Sequence, residues 1–201
     1  SINNSNYVFI KYDRNPNEID EIYKLSIELL KRNIYTHQII LNNENSYLTS
    51  INENFYILMK IYDRMNKKIS IEDILYFENI SNYIEIDVKI KRNNWGLLWS
   101  NKIDYFEYQV NQFGKKYPII SESFGYYVGL AETGIQLFNM FYRDDTKLVI
   151  SHIRLNSNST LFDLYNPLNY IIDIKTRDSS EFFKSRFLEN KNVLSDIKNY
   201  I

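Results

Sequence analysis

The sequence predicts an α+β protein: a small antiparallel sheet with flanking helices, then a mostly helical part. Short β-branched and aromatic runs bounded by Asn-rich links cluster before residue 62, long apolar stripes at helical spacing fill 95–142, and strand-like runs return within 147–174. On this pattern residues 1–85 form a first lobe of helix, antiparallel strands and helix. Residues 86–201 form a helical second lobe, which carries a chemistry-bearing segment at 147–178.

Ile19, Ile22, Tyr23, Ser26, Leu29 and Leu30 recur at helical spacing after Asn15-Pro16, so the first helix is expected over about 17–31. Strands are expected over 37–41, 46–51 and 55–62. The polar links Asn42-Asn43-Glu44-Asn45 and Asn52-Glu53-Asn54 suit hairpins, which makes these strands an antiparallel meander. Ser70 supplies a capping hydroxyl and Asp73 a first-turn carboxylate for the next helix, expected to end near Asn79. Lys60 in the third strand and Glu72 or Glu78 on this helix have the residue types of the strand-lysine and helix-glutamate pair of kinases. The competing reading makes Lys60 an exposed strand residue.

Trp95, Leu98, Trp99, Ile103, Phe106, Val110 and Phe113 form an apolar stripe that Gly114 is placed to end. Pro118 suits the first turn of a second long helix running to about Tyr142. Gly125, Gly129 and Gly134 each cost that helix about 1 kcal/mol against Ala, so close packing on a neighbouring backbone is expected there. Glu122, Glu132 and Gln136 argue against a membrane dimer motif. Tyr105, Tyr108, Tyr126 and Tyr127 sit among apolar groups at helical spacing, which favours packing over a stacking platform for bases or sugars.

Composition removes several function classes. A net charge of -1, from 24 basic and 25 acidic residues, provides no global field to recruit nucleic acid or an anionic membrane. The absence of Cys excludes disulfides, thiolate zinc sites and thiol catalysis. His37 and His152 are too few for a His-rich metal site. No apolar run reaches the roughly 20 residues that span a bilayer, and the first residues lack signal-peptide order, so a soluble, cytoplasmic protein is expected.

The segment from Val149 to Asp178 carries the chemistry. Lys147 to Ile150 reads as a buried strand leading into Ser151-His152, followed by an Asn- and Ser-rich loop from Arg154 to Thr160. Thr160 to Tyr165 and Leu168 to Ile174 read as two further strands joined by the turn Asn166-Pro167. Asp173 then emerges at a strand end, where a carboxylate can meet a metal ion bound to phosphates. In kinases a loop Asp accepts the substrate hydroxyl proton, a nearby Asn holds one metal ion, and an Asp after the next strand holds the other. Here the position two after His152 is Arg154, which is always protonated and cannot serve as a base. Asp178, with Glu181 three residues on, has the pattern of a helix cap, with a direct metal ligand as the alternative. Arg177 suits either a phosphate or a neighbouring acid.

Taken in order, Trp95 to Gln109, Tyr126 to Glu132, Ser151-His152-Ile153-Arg154-Leu155, Asn166-Pro167 and Thr176 to Lys184 resemble the bacterial spore-coat kinase-like family, related to aminoglycoside and choline phosphotransferases. The resemblance covers nearly the whole chain and implies a two-lobed protein-kinase-like fold. It further implies Lys60 facing phosphate, Asn156 or Asn158 as the loop Asn, and Asp173 at the metal, to which the residue types above add Glu72 as a candidate helix partner of Lys60 and Asp178 as a weaker metal candidate. ATP and magnesium are the implied cofactors, and other spore-coat proteins the implied partners. Arg154 and the glycine-free turn Asn42 to Asn45 depart from an active pattern. The chain is also short for this fold, so part of the substrate-binding helical region is expected to be missing.

The reading favoured by these residues is a degenerate, pseudokinase-like protein of the spore coat, acting as a nucleotide-responsive or structural binding module. An atypical phosphotransferase using Mg-ATP is the alternative, and needs Asp163 or Asp178 close enough to replace the lost base. An unrelated α+β interaction domain is a further alternative.

Overall fold

The computed structural model describes residues 6–61, 66–82, 90–92, 94–143, 146–189, 192–198 and 200. By its internal contacts the chain forms two units: residues 1–91 with 148–201, and residues 92–147. The expected second lobe is therefore divided. Its last 54 residues share a core with the first 91, and only its long helices stand as a unit of their own.

In the first unit the sheet is built around the longest strand. Strand β1 (Asn6–Lys11) precedes a 3-10 turn at Pro16–Glu18 and helix α1 (Ile19–Lys31). Strands β2 (Gln38–Ile40), β3 (Thr49–Ile51) and β4 (Asn54–Ile61) follow. β4 pairs antiparallel with β1 along one edge and with β2 and β3 along the other. This corrects the expected meander: β2 and β3 lie end to end against β4, and β1 was not anticipated. Asn42 makes the link possible, since its Oδ1 accepts from the backbone N–H groups of Glu44 and Ser46 and its Nδ2 donates to the Leu48 carbonyl. The β3–β4 turn is two residues long, with φ 48° at Asn52 and 63° at Glu53, the left-handed pair that matches strand twist.

Helix α2 (Ile71–Ser81) begins as its sequence requires. Ser70 Oγ accepts from the Asp73 N–H and Asp73 Oδ2 accepts from the Ser70 N–H, a reciprocal capping box. After the second unit come strand β5 (Leu148–His152), helix α5 (Leu161–Leu164) and strand β6 (Tyr170–Ile174). Helices α6 (Arg177–Leu188) and α7 (Leu194–Lys198) complete the chain. The expected strand over 160–165 is instead a helical turn. Asp163 Oδ2 accepts from both the N–H and Oγ1 of Thr160, so a second capping box overrides the local β propensity.

The core joins α1 (Ile22, Leu25, Leu29), β4 (Ile57, Met59) and α2 (Ile74, Phe77) to Ile150, Leu164, Tyr170, Ile172 and Phe182. Arg14 adds a polar tie across 156 residues, donating to the carbonyls of Leu168 and Tyr170 while pairing with Glu18.

The second unit contains helices α3 (Trp95–Phe113) and α4 (Pro118–Phe141), with a 3-10 turn at Gly114–Lys116 between them. Pro118 occupies the first turn of α4 as expected. The anticipated burial does not occur: neither helix buries a residue, and Tyr105, Tyr108, Tyr126 and Tyr127 are all exposed. Close packing at the glycines is also corrected, because a Cβ added at Gly125, Gly129 or Gly134 would meet nothing within 4 Å. No helix among the described residues is long and apolar enough to cross a membrane.

Candidate functional site

The β5–β6 hairpin sets the distances between the chemistry-bearing residues. His152 stands opposite Tyr170, and Asp173 opposite Val149, at the other end of the ladder. Three ladder positions separate the two, about 10 Å along the strands. Both strands are buried on both faces, so neither side chain opens directly to water.

The first two residues of α6 reach these two ends separately. Asp178 accepts from the His152 backbone N–H at 3.0 Å through Oδ1, and its Oδ2 lies 2.6 Å from His152 Nδ1. His152 Nε2 faces the Leu164 carbonyl at 2.8 Å. Each ring nitrogen thus faces an oxygen, Asp178 Oδ2 on one side and the Leu164 carbonyl on the other. Phe77 and Tyr170 pack against the ring. Asp178 therefore serves neither as the expected cap nor as a metal ligand here: Thr176 precedes the helix, and both Asp178 oxygens hold His152.

Arg177 serves the other end. Its Nε lies 3.5 Å from Asp173 Oδ2, one terminal nitrogen donates to Glu181 Oε1 at 3.0 Å, and the other to the Ile153 carbonyl at 3.3 Å. Asp173 Oδ1 accepts from the Ile174 N–H at 2.7 Å, and the residue is 0% exposed. Of the two readings open for Arg177, the neighbouring-acid pair is the one present.

The loop between the strands is closed by its own polar groups. Asn156 Oδ1 accepts from the Asn158 N–H, and Asn158 donates to Glu189 and accepts from Lys68 Nζ. Ser157 Oγ donates to Glu189 Oε1, and its N–H donates to Ser185 Oγ. Residues 67–69 strap the loop from outside, with Ile69 N–H donating to Ser159 and Leu161 N–H to Lys67. Arg154 points to solvent as an exposed residue. Counting five residues on from the base position, as kinase loops are spaced, lands on Ser159 and not on either Asn. That count was available in the sequence. Ser159 Oγ accepts from the Asn156 N–H.

Lys60 lies on β4 opposite Tyr7 and Gln38, on the sheet face away from buried Met59. Among the described residues it pairs with neither glutamate: Glu72 is exposed in the first turn of α2, and Glu78 is buried elsewhere. Glu78 accepts from the Ser179 N–H and from Tyr200 Oη, each at 3.3 Å. Burial pushes its carboxyl up to about 7, with the nearby Asp178 charge adding and the Ser179 hydrogen bonds opposing. Sequence reading gave no sign of this buried acid beyond its place on a helix. Asp163, the other candidate replacement base, is occupied by the Thr160 cap.

These residues do not fit a magnesium ion. Magnesium takes oxygen ligands in near-octahedral order and keeps several waters. Asp173 is fully buried against a guanidinium, the base position is Arg154 and the loop-Asn position is Ser159. No group of three His, Asp or Glu side chains converges for a metal among the described residues.

Comparison with known proteins places this arrangement. A family model described as "Spore coat putative kinase YutH" matches residues 1–201. No curated protein is similar enough in sequence to serve as a relative. Two crystal structures of spectinomycin phosphotransferase APH(9)-Ia share the fold. The complex with ADP and spectinomycin has a TM-score of 0.56 at 14% identity, covering 89% of this chain and 61% of that one. The AMP-bound complex has a TM-score of 0.56 at 15% identity, covering 89% of this chain and 64% of that one. The chain thus spans less than two thirds of the phosphotransferases it matches. The fold is α+β and kinase-like, which sets aside an unrelated interaction domain. The chain belongs to the YutH family of spore-coat kinase-like proteins.

Proposed function

We propose that this protein is a non-transferring, kinase-like binding module of the spore coat whose partners are other coat proteins. One observation carries the reading: two of the three positions that phosphoryl transfer needs are altered, and the third, Asp173, is buried beside a guanidinium. An Arg stands where the base belongs, a Ser where the metal-holding Asn belongs, and the metal-binding Asp faces Arg177. Transfer chemistry rests on positioning and charge neutralisation around metal-bound phosphates, and Arg154 and Ser159 lack the carboxylate and amide that would contribute to them. Asp163 and Asp178 hold other partners and replace none of them.

The ADP and AMP of the spectinomycin phosphotransferases motivate a purine nucleotide as the ligand to try first. The test is thermal unfolding of wild type with ATP, with and without magnesium. A ligand at 100 times its dissociation constant stabilises by about 2.7 kcal/mol. A shift that needs magnesium and vanishes in Asp173→Asn would contradict the reading. No shift, or one indifferent to magnesium, accords with it.

A further inference from the structure

We infer that α4 is a self-association surface, which pairs antiparallel with α4 of a second copy of this chain along the side it turns away from α3. The inference does not depend on the transfer chemistry and goes beyond it. From Ile119 to Met140, apolar residues and two hydroxyl residues recur at alternating steps of four and three. That is the heptad spacing of a coiled-coil seam, here about 33 Å long. On this seam Ile119, Tyr126 and Met140 are 82%, 69% and 67% exposed, and Leu130 and Leu137 are half exposed. The hydroxyls are satisfied within the helix: Ser123 Oγ donates to the Ile119 carbonyl and Thr133 Oγ1 to the Gly129 carbonyl. Neither brings an unpaired donor to an interface. Packing on α3 uses the other side of α4, where Phe138 meets Trp99 and Phe124, Val128 and Ile135 are half-buried.

The seam is complementary to itself when the two helices run in opposite directions. The register that lays Leu130 on Thr133 of the second copy also lays Tyr126 on Leu137 and Ser123 on Met140, and the twofold axis repeats each layer. In every layer a larger side chain meets a smaller one. Beside the seam, Tyr127 comes over Gly134, where open space stands in place of a Cβ. On the other flank Glu122, near the start of one helix, comes beside Arg143, just past the end of the other, which adds an opposite-charge pair at each end. A parallel pair would instead stack Tyr126 on Tyr126 and Ser123 on Ser123, with the helix dipoles aligned unfavourably. The area is also that of a dimer. Each large side chain exposes on the order of 100 Å², so the five apolar seam residues, with Ile120, Tyr127 and Phe141 beside them, bring about 800 Å² per copy. One partner of a standard-size interface contributes about that much, and a typical monomer exposes smaller patches.

The experiment is sedimentation equilibrium of the 201-residue chain at low salt, from about 1 to 100 µM, the range in which the weaker interfaces of this size assemble. Wild type is compared with Leu130→Glu, Glu122→Arg and Glu122→Arg/Arg143→Glu. Wild type is expected to be dimeric in the upper part of that range. Leu130→Glu brings two carboxylates together near the twofold axis and should leave a monomer of unchanged helix content by circular dichroism. Glu122→Arg sets like charges face to face at both ends and should weaken the dimer about tenfold. The double variant restores opposite charges and should recover wild-type Kd. If Leu130→Glu loses helix content, the charge reversal and its rescue decide alone. A wild-type chain that stays monomeric at the top of the range overturns the inference. So does a dimer that tolerates a folded Leu130→Glu, or one whose Kd ignores the charge reversal or is not rescued by the double variant.

Discussion

Asp178 holds His152 at two points, its Oδ1 on the backbone N–H and its Oδ2 on the imidazole Nδ1, across 26 residues of chain. This clamp fixes the start of the loop against α6 in a fully buried setting. Removing the carboxylate leaves the buried His152 backbone N–H and ring Nδ1 without a partner. Asp178→Ala should therefore lower unfolding free energy by about 1–3 kcal/mol for each group left unsatisfied, measured by denaturant titration. A loss below about 1 kcal/mol, the worth of a surface pair, would contradict the buried clamp.

The pH dependence of stability should hide two opposing terms. Burial lowers His37 from 6.5 to about 4, partly offset by its hydrogen bond to the Phe162 carbonyl. Its contribution is present above pH 6.5 and lost as pH falls toward 4. Glu78 is raised from 4.5 to about 7, so its contribution is present below 4.5 and lost as pH rises toward 7. Between about pH 4.5 and 6.5 the two slopes oppose each other, each at most about 1.4 kcal/mol per pH unit. In Glu78→Gln stability should rise with pH over this window, and in His37→Gln it should fall. Chemical denaturation at stepped pH reads both slopes, and parallel slopes in the two variants would refute the assignment.

Glu53 occupies the left-handed region at φ 63° in a turn that favours Gly at its second position. Glu53→Gly should stabilise the β3–β4 hairpin by about 0.5–1 kcal/mol net, since the left-handed conformation costs an L-residue about 1–2 kcal/mol and the greater freedom Gly loses on folding offsets about 0.5–1 kcal/mol of that. A lower thermal midpoint would show that the Glu53 side chain contributes more than its backbone strain costs.

Gly129 lies in the middle of α4 with open space where a Cβ would go. Gly129→Ala should stabilise by about 1 kcal/mol through helix propensity alone. Destabilisation would mean that something packs against that position in solution.

The helices were legible because their signals are local. α1, α2, α3 and α4 are marked by apolar spacing, and α2 and α4 carry Ser70 with Asp73 and Pro118 at their starts. The turn at Thr160 was misread because Leu161 and Phe162 suit a strand, while the bond between Asp163 and Thr160 decides the conformation. β1 escaped notice although its exposure alternates, since polar ends at Asn6 and Lys11 shorten its pattern. At the site, the order of His152 and Asp173, together with the segments at 95–109, 126–132 and 176–184, carried the resemblance to the family, while Arg154 departed from it. The use of Asp178 was not readable, because its partner lies 26 residues away and only the docking of α6 on β5 joins them. Arg177 was left between phosphate and acid although both of its acidic partners, Asp173 and Glu181, lie four residues away in sequence.

The most direct test of the central claim is phosphoryl transfer from γ-labelled ATP with magnesium, comparing wild type with Asp173→Asn. The account predicts that neither protein transfers phosphate to water or to added acceptors above the level of buffer. Wild-type turnover that disappears in Asp173→Asn would show that Asp173 still holds a working metal, and would contradict it.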